Sequence, residues 1–311
     1  MKSASATSHA EVPVFVPAAG DRLFGVLTQP TVAPLGCAAI VLPAGTSPLS
    51  TARNQVPVRI CRDLAALGYH AMRIDYHGAG ESTGTLEAIS LGDPFIEDVM
   101  GAVQWLRQQG LNRFVFIGSC FGARTALAIA PQVEGMTGAI LMSMPVADLG
   151  VGDRSGVDAA LEWGFTTYLR KTLRLRTIRG LFDPHHRRVY ARYVRAKWKM
   201  LVTRHGPGRR RPRDWRDLTS PKIIQAMQDI ARRRVPVLML YGVDDGYRQG
   251  FLQAREGELG RVLRSARQTV KYQTVPGQLH GFTRLEAQDL AITAVLDWST
   301  ELSHSLNRTS D

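Results

Sequence analysis

Phe114-Val115-Phe116-Ile117-Gly118-Ser119-Cys120-Phe121-Gly122-Ala123-Arg124-Thr125-Ala126-Leu127-Ala128-Ile129-Ala130 joins an unbroken apolar run to a helix-forming one through a short glycine-flanked turn. The Phe114–Ile117 run reads as a buried strand and the alanine-rich run as a helix. A strand that turns this abruptly into a helix crowds its backbone two residues to either side of the apex, so positions 118 and 122 must be small, and both are glycine. The apex, Cys120, then projects from the carboxyl end of the strand at a helix amino terminus. Free N–H groups and the helix dipole favour a thiolate there, so the spacing predicts a nucleophilic Cys120 with a lowered pKa. Ser119 lies off the apex, and the bland alternative is an inert cysteine in a tight turn.

Outward from this turn the chain alternates short apolar runs with helical patterns. Strands are predicted at Val12–Val16, Leu23–Thr28, Ala38–Leu42, His70–Ile74, Phe114–Ile117, Ala139–Met142, Val237–Leu240 and Gln268–Val275. Helices are predicted at Ala52–Leu67, at Pro94–Gln109 behind an Asp93 cap, at Phe121–Ala130, and at Leu285–His304 with a Thr283/Glu286 capping box. This alternation implies an α/β class protein with a doubly wound, mostly parallel eight-stranded sheet.

Composition bounds the rest. The 311 residues are 44% hydrophobic and 21% charged, which excludes disorder and fibrous architectures. No apolar run nears the roughly 20 residues of a membrane helix, and the first ten residues lack a signal-peptide apolar region, so a cytoplasmic protein with no membrane partner is expected. The net charge of +12 is not spread evenly: residues 146–235 hold 22 Lys and Arg against 8 Asp and Glu, leaving 17 against 19 elsewhere. A charge confined to one segment suggests a module inserted in a near-neutral scaffold. The predicted division is a disordered N-terminus at 1–10, a core at 11–145 and 231–305, and a basic helical cap at 146–230, after the sixth strand.

A nucleophile needs a base. His280, in the Pro276-Gly277-Gln278-Leu279-His280-Gly281-Phe282 loop after the last strand, can reach the turn. The preceding strand ends in Gly242-Val243-Asp244-Asp245-Gly246 and supplies an acid, Asp245 in preference to Asp244, with Asp148 a remote third. Nucleophile, acid and histidine follow in chain order at the ends of successive core strands, and that order makes the set specific.

With Asp75-Tyr76-His77-Gly78-Ala79-Gly80-Glu81-Ser82, similar to a D-x-x-G-x-G-x-S turn, and Asp98-Val99 with Trp105-Leu106 before the turn, the chain from Val12 to Leu302 resembles the α/β-hydrolase superfamily. The resemblance implies that fold, with 146–230 as its cap. It also implies an oxyanion hole formed by the N–H of Phe121 and that of Thr46 or Gly45, in Pro43-Ala44-Gly45-Thr46 where the family usually begins His-Gly. His77 is structural on this reading. The family mostly uses serine at the apex; cysteine resembles dienelactone hydrolases and polyhydroxyalkanoate synthases, at the turn alone. A thiolate exchanges readily with thioesters, so the expected activity is an acyl-thioester or ester hydrolase or acyltransferase working on a small acyl substrate through a covalent acyl-enzyme. The competing reading is a non-hydrolytic use of the fold, as a lyase or a partner-binding module.

The basic cap admits a solvated lid or a polyanion site for an acidic acyl carrier protein or coenzyme A, with Arg170, Lys171, Arg174 and Arg176 on one helical face and Arg209, Arg210 and Arg211 in a loop. No nucleic-acid-binding motif accompanies that charge, which argues against nucleic acid. His185-His186 lacks further ligands at metal spacing and no dinucleotide fingerprint is present, so neither metal nor cofactor is expected. Cys37 and Cys61 read as core.

Overall fold

Apolar runs with buried faces on both sides can only stack side by side, and the strands do so in a computed structural model that describes residues 10–45, 49–86, 89–147, 219–282 and 284–308. The strands are β1 (Glu11–Ala18), β2 (Asp21–Thr28), β3 (Cys37–Leu42), β4 (His70–Ile74), β5 (Arg113–Ser119), β6 (Met136–Met142), β7 (Val237–Gly242) and β8 (Val270–Val275). They form one eight-stranded sheet in the order β1-β2-β4-β3-β5-β6-β7-β8. β1 pairs antiparallel with β2, and β2 with β4. Every other pair is parallel, with Ile40 opposite both Met72 and Phe116 at the centre. The eight-stranded sheet is the predicted one, and its fold is that of the α/β-hydrolases.

The described helices are α1 (Val56–Ala66), α2 (Ile96–Gln108), α3 (Phe121–Ile129), α4 (Pro221–Arg233), α5 (Gly246–Ala254), α6 (Glu258–Ser265) and α7 (Leu285–Arg308). On one face of the sheet, Ile60 and Leu64 of α1 and Trp298 and Leu302 of α7 pack against Val115, Ile117, Ile140, Leu238 and Leu240. Tyr69 is fully buried in that layer, and its hydroxyl donates to the Ser299 carbonyl at 2.9 Å. Burying each such aliphatic side chain contributes about 1.5–3 kcal/mol before chain entropy is counted.

Several boundaries differ from the sequence reading. Helix α2 begins at Ile96 rather than Pro94, because Phe95 at its N-cap has ψ 69° and turns its ring into an aromatic cluster. Asp93 bonds back to Ser90 instead of capping the helix. Strand β8 begins at Val270 rather than Gln268, since Thr269 and Val270 both donate to the Ala266 carbonyl in the turn that ends α6. Helices α5 and α6, both between β7 and β8, are not among the predicted helices: one opens with Gly246 and buries only Phe251 and Ala254, and the other, although amphipathic, spans only eight residues. Thr283 of the predicted capping box lies outside the described residues.

Helix α4 runs across the predicted cap boundary at 230 and packs Ile223, Ala226, Met227 and Ile230 into the interior. Part of the charge assigned to the cap therefore sits on this helix and has local work. Lys222 Nζ donates to the Gly92 carbonyl at 2.8 Å, Arg233 Nη2 to that of Val133 at 2.8 Å, and Arg232 and Arg233 both pair with Asp229. Residues 148–218, and with them Arg170, Lys171, Arg174, Arg176, Arg209, Arg210, Arg211 and Asp148, lie outside the described residues, as do residues 1–9.

The Asp75–Ser82 turn is an anchor. The buried Asp75 carboxylate accepts the Ser50 N–H at 2.5 Å, while Ser82 Oγ donates to the Asp75 carbonyl at 2.9 Å and accepts the Phe24 N–H at 2.8 Å. His77 is tied by both its main-chain N–H (2.9 Å) and Nδ1 (3.0 Å) to the buried Asp98 of α2. Burial, the main influence, raises the Asp98 carboxyl above its ordinary value, and the His77 contacts oppose that.

Candidate active site

At the end of β5 the chain reverses into α3 through one residue in a left-handed conformation, Cys120, with φ 51° and ψ −110°. A non-glycine residue there costs on the order of 1–3 kcal/mol and survives only where its surroundings hold it. Here a side chain at Gly118 would collide with the Gly122 backbone, and one at Gly122 would come within 2.6 Å of the Leu42 and Pro43 carbonyl oxygens. The Cys120 N–H donates to the Met142 carbonyl (2.9 Å) and its carbonyl accepts the Arg124 N–H (3.2 Å). The glycine spacing thus corresponds to a real steric need.

Cys120 is buried, with 5% exposure. The Tyr247 side chain and the Phe121 main-chain N–H, the first free donor of α3, lie near enough to act on its sulfur. These contacts lower the thiol pKa, but burial outweighs them and the nearby Asp245 charge adds to burial, so the thiol lies above its ordinary value. This corrects the expectation of a depressed pKa: the helix terminus acts, and desolvation exceeds it. Cys37 and Cys61 are pushed further, to about 11 and about 12, by burial in the interior.

Asp245 and His280 come together at the ends of β7 and β8. Val243 N–H donates to the Val275 carbonyl (2.9 Å) and Asp244 N–H to that of Gly277 (3.0 Å), which knits their loops together. Asp245 is 4% exposed, and its carboxylate accepts the Ser143 hydroxyl (2.5 Å), the Gly242 N–H (2.7 Å) and the main-chain N–H of His280 (2.8 Å). Asp244 is exposed. The ring of His280 stands edge-on to Tyr247, with centroids 4.9 Å apart at 88°. Its Nε2 is buried with no hydrogen-bond partner among the described residues. Burial holds the imidazole below its ordinary pKa against the pull of the Asp245 charge, which leaves it neutral and able to take a proton.

The loop after β3 closes on the same point. A side chain at Gly45 would lie 3.0 Å from the Phe121 Cβ, so this loop passes directly over the turn; Thr46 lies outside the described residues. Behind it Tyr76, Phe95 and Phe121 form an edge-to-face cluster with centroids 4.9–5.8 Å apart.

Sequence reasoning missed Ser143 and Tyr247. Ser143 (φ 46°) follows β6 where a strand-end residue faces the carboxyl edge, and nothing in its neighbours marks it. Tyr247 could have been found from its spacing, two residues after Asp245.

The family described as serine aminopeptidase, S33, matches residues 55–284. The chain belongs to the serine aminopeptidase S33 family. It is a hydrolase by that membership, and its own sequence places Cys120 at the turn apex. Among solved structures, this S33 hydrolase is similar to proline iminopeptidase of Mycobacterium smegmatis at 17% identity, covering 96% of this chain and 100% of that one with a TM-score of 0.53. An esterase of Pyrococcus furiosus matches at 14% identity over 94% of this chain and 90% of its own, TM-score 0.57. Est1E of Butyrivibrio proteoclasticus, solved with ferulic acid bound, matches at 16% identity over 93% and 98%, TM-score 0.53. At these identities the likeness is one of fold. No curated protein sequence matches the chain. Among the described residues there is no helix long and apolar enough to cross a membrane and no cluster able to hold a metal ion.

Proposed function

We propose that the protein is an acyl-transfer hydrolase whose nucleophile is Cys120, with His280 as general base and Asp245 as the carboxylate that fixes the histidine loop. The observation that carries this reading is Cys120 at the strained apex of the strand-to-helix turn, with a helix N–H and the Tyr247 side chain acting on its sulfur. Non-glycine residues held in such a conformation cluster at active sites, and this one stands at the apex of the strand-to-helix turn.

The chemistry starts from a neutral pair. His280 Nε2 takes the thiol proton as the sulfur lone pair forms a bond to the acyl carbon, and the carbonyl π pair moves to its oxygen. The N–H of Phe121, with a second from Gly45 or Thr46, receives that oxyanion. The oxyanion collapses, the bond to the leaving group breaks, and His280 returns its proton to the departing atom. Water or another acceptor then attacks the thioester in the same manner and releases Cys120.

The substrate class is an ester or thioester. A thiol exchanges with a thioester at little energetic cost, and the acyl-enzyme can pass to an alcohol or amine as well as to water. The basic segment of residues 146–235 supports a carrier-linked donor, either coenzyme A or an acidic acyl carrier protein, through Arg170, Arg174 and Arg209–Arg211. Three free, buried cysteines fit the reducing conditions of a cytoplasm. Turnover of short acyl-thioesters and aryl esters by wild type and Cys120→Ala tests the reading: loss of all triad-dependent turnover in the variant is expected, and full turnover overturns it.

A further inference from the structure

Three buried tyrosine hydroxyls of the core donate to main-chain carbonyls, Tyr69 to Ser299, Tyr76 to Pro43 (3.4 Å) and Tyr241 to Met144 (2.8 Å), and Tyr76 also meets the Thr125 side chain. Tyr247 is different. It sits in the first turn of α5, two residues after Asp245, is half-buried, stands with its ring edge-on to His280 at 4.9 Å between centroids, and acts on the sulfur of Cys120. One short segment thus carries both the Asp245 carboxylate and the Tyr247 hydroxyl.

Resting on the reading of Cys120 as nucleophile, we propose that Tyr247 is a further catalytic residue, whose hydroxyl donates to the Cys120 sulfur and stabilises the thiolate both as it attacks and as it departs. The tyrosine keeps its proton throughout. On attack the thiol proton goes to His280 Nε2 and the sulfur pair enters the new S–C bond. On deacylation the S–C bond breaks and its pair returns to sulfur, where the Tyr247 O–H and the Phe121 N–H meet the charge before His280 re-protonates it. Buried sulfur otherwise lacks solvent to do this, and a hydrogen bond to a charged acceptor is about twice as strong as one between neutral groups. The remaining charge acting on the sulfur is that of Asp245, and the His280 ring stands beside Tyr247.

The test is Tyr247→Phe in the full-length protein, which keeps the ring against His280 and removes only the hydroxyl. Iodoacetamide alkylation of Cys120 is followed against pH by peptide mass; Cys37 and Cys61, buried and at about 11 and about 12, do not obscure it. The expected result is an alkylation midpoint about one pH unit higher than wild type, with kcat on a short acyl-thioester falling by about tenfold to a hundredfold and KM little changed. An unchanged midpoint overturns the proposal, whether or not turnover falls. Cys120→Ala separates the two levels: if that variant keeps full turnover the nucleophile reading fails, whereas an inactive Cys120→Ala beside an unshifted Tyr247→Phe removes Tyr247 alone.

Discussion

Asp245 holds His280 by the main chain: its Oδ1 accepts the His280 N–H at 2.8 Å, and its Oδ2 is shared between Gly242 N–H and the Ser143 hydroxyl. The carboxylate therefore fixes the loop that carries the histidine and supplies a negative charge beside the imidazole. Replacing Asp245 with Asn puts an amide N–H against these donors, and a buried donor left unpaired costs about 1–3 kcal/mol. Asp245→Asn should lower both Tm and kcat/KM, the latter by about a hundredfold or more, while the exposed Asp244→Asn stays within a few-fold. Equal effects in a side-by-side assay of the two variants reassign the acid.

Ser143 is a positioning residue by the same geometry. Ser143→Ala removes one of the donors to Asp245 and should cost about 1 kcal/mol in a urea titration. Its kcat should drop about tenfold, with KM unchanged, because only the orientation of the His280 loop is disturbed. A variant as active as wild type excludes this role.

The pH profile follows from the neutral pair. Burial lowers the His280 pKa from 6.5, so the base stays competent below that value and the acid limb of kcat/KM should have its midpoint under pH 6.5. The same shift bears on stability. The folded state binds fewer protons at His280 than the unfolded chain below pH 6.5, so this contribution is complete above 6.5 and declines as the pH falls towards the folded value. An acid limb centred above 6.5 contradicts the assignment of burial as the dominant influence.

At the turn, Gly122→Ala should be far more damaging than its single methyl suggests. The added carbon lies 2.6 Å from two carbonyl oxygens, Leu42 and Pro43, and backbone there cannot withdraw without moving β3. Loss of soluble protein, or a Tm lowered by ten degrees or so, is expected for a cost of about 2–4 kcal/mol. A near-normal melting curve means that the turn is looser than drawn.

The sheet was legible because buried parallel strands must be apolar on both faces, as β3 and β7 are along their whole length. Gly118 and Gly122 likewise announced the turn, since no other residue fits two crossing backbones. What the sequence did not reveal depends on contacts between distant segments. The sign of the Cys120 shift is a balance of burial against two donors, and burial belongs to the folded molecule. Ser143 lies 102 positions from Asp245, with nothing local to connect them. Phe95 broke the expected start of α2 because its ring is drawn to Tyr76 and Phe121.

The proposed mechanism passes through an acylated Cys120. Intact-protein mass measurement after brief incubation with a panel of acyl-thioesters and aryl esters, comparing wild type with Cys120→Ala, reads that intermediate itself. A mass increase equal to one acyl group in wild type, mapped to the peptide holding Cys120 and missing from the variant, is the expected result. An adduct of the same mass and yield in Cys120→Ala would contradict it.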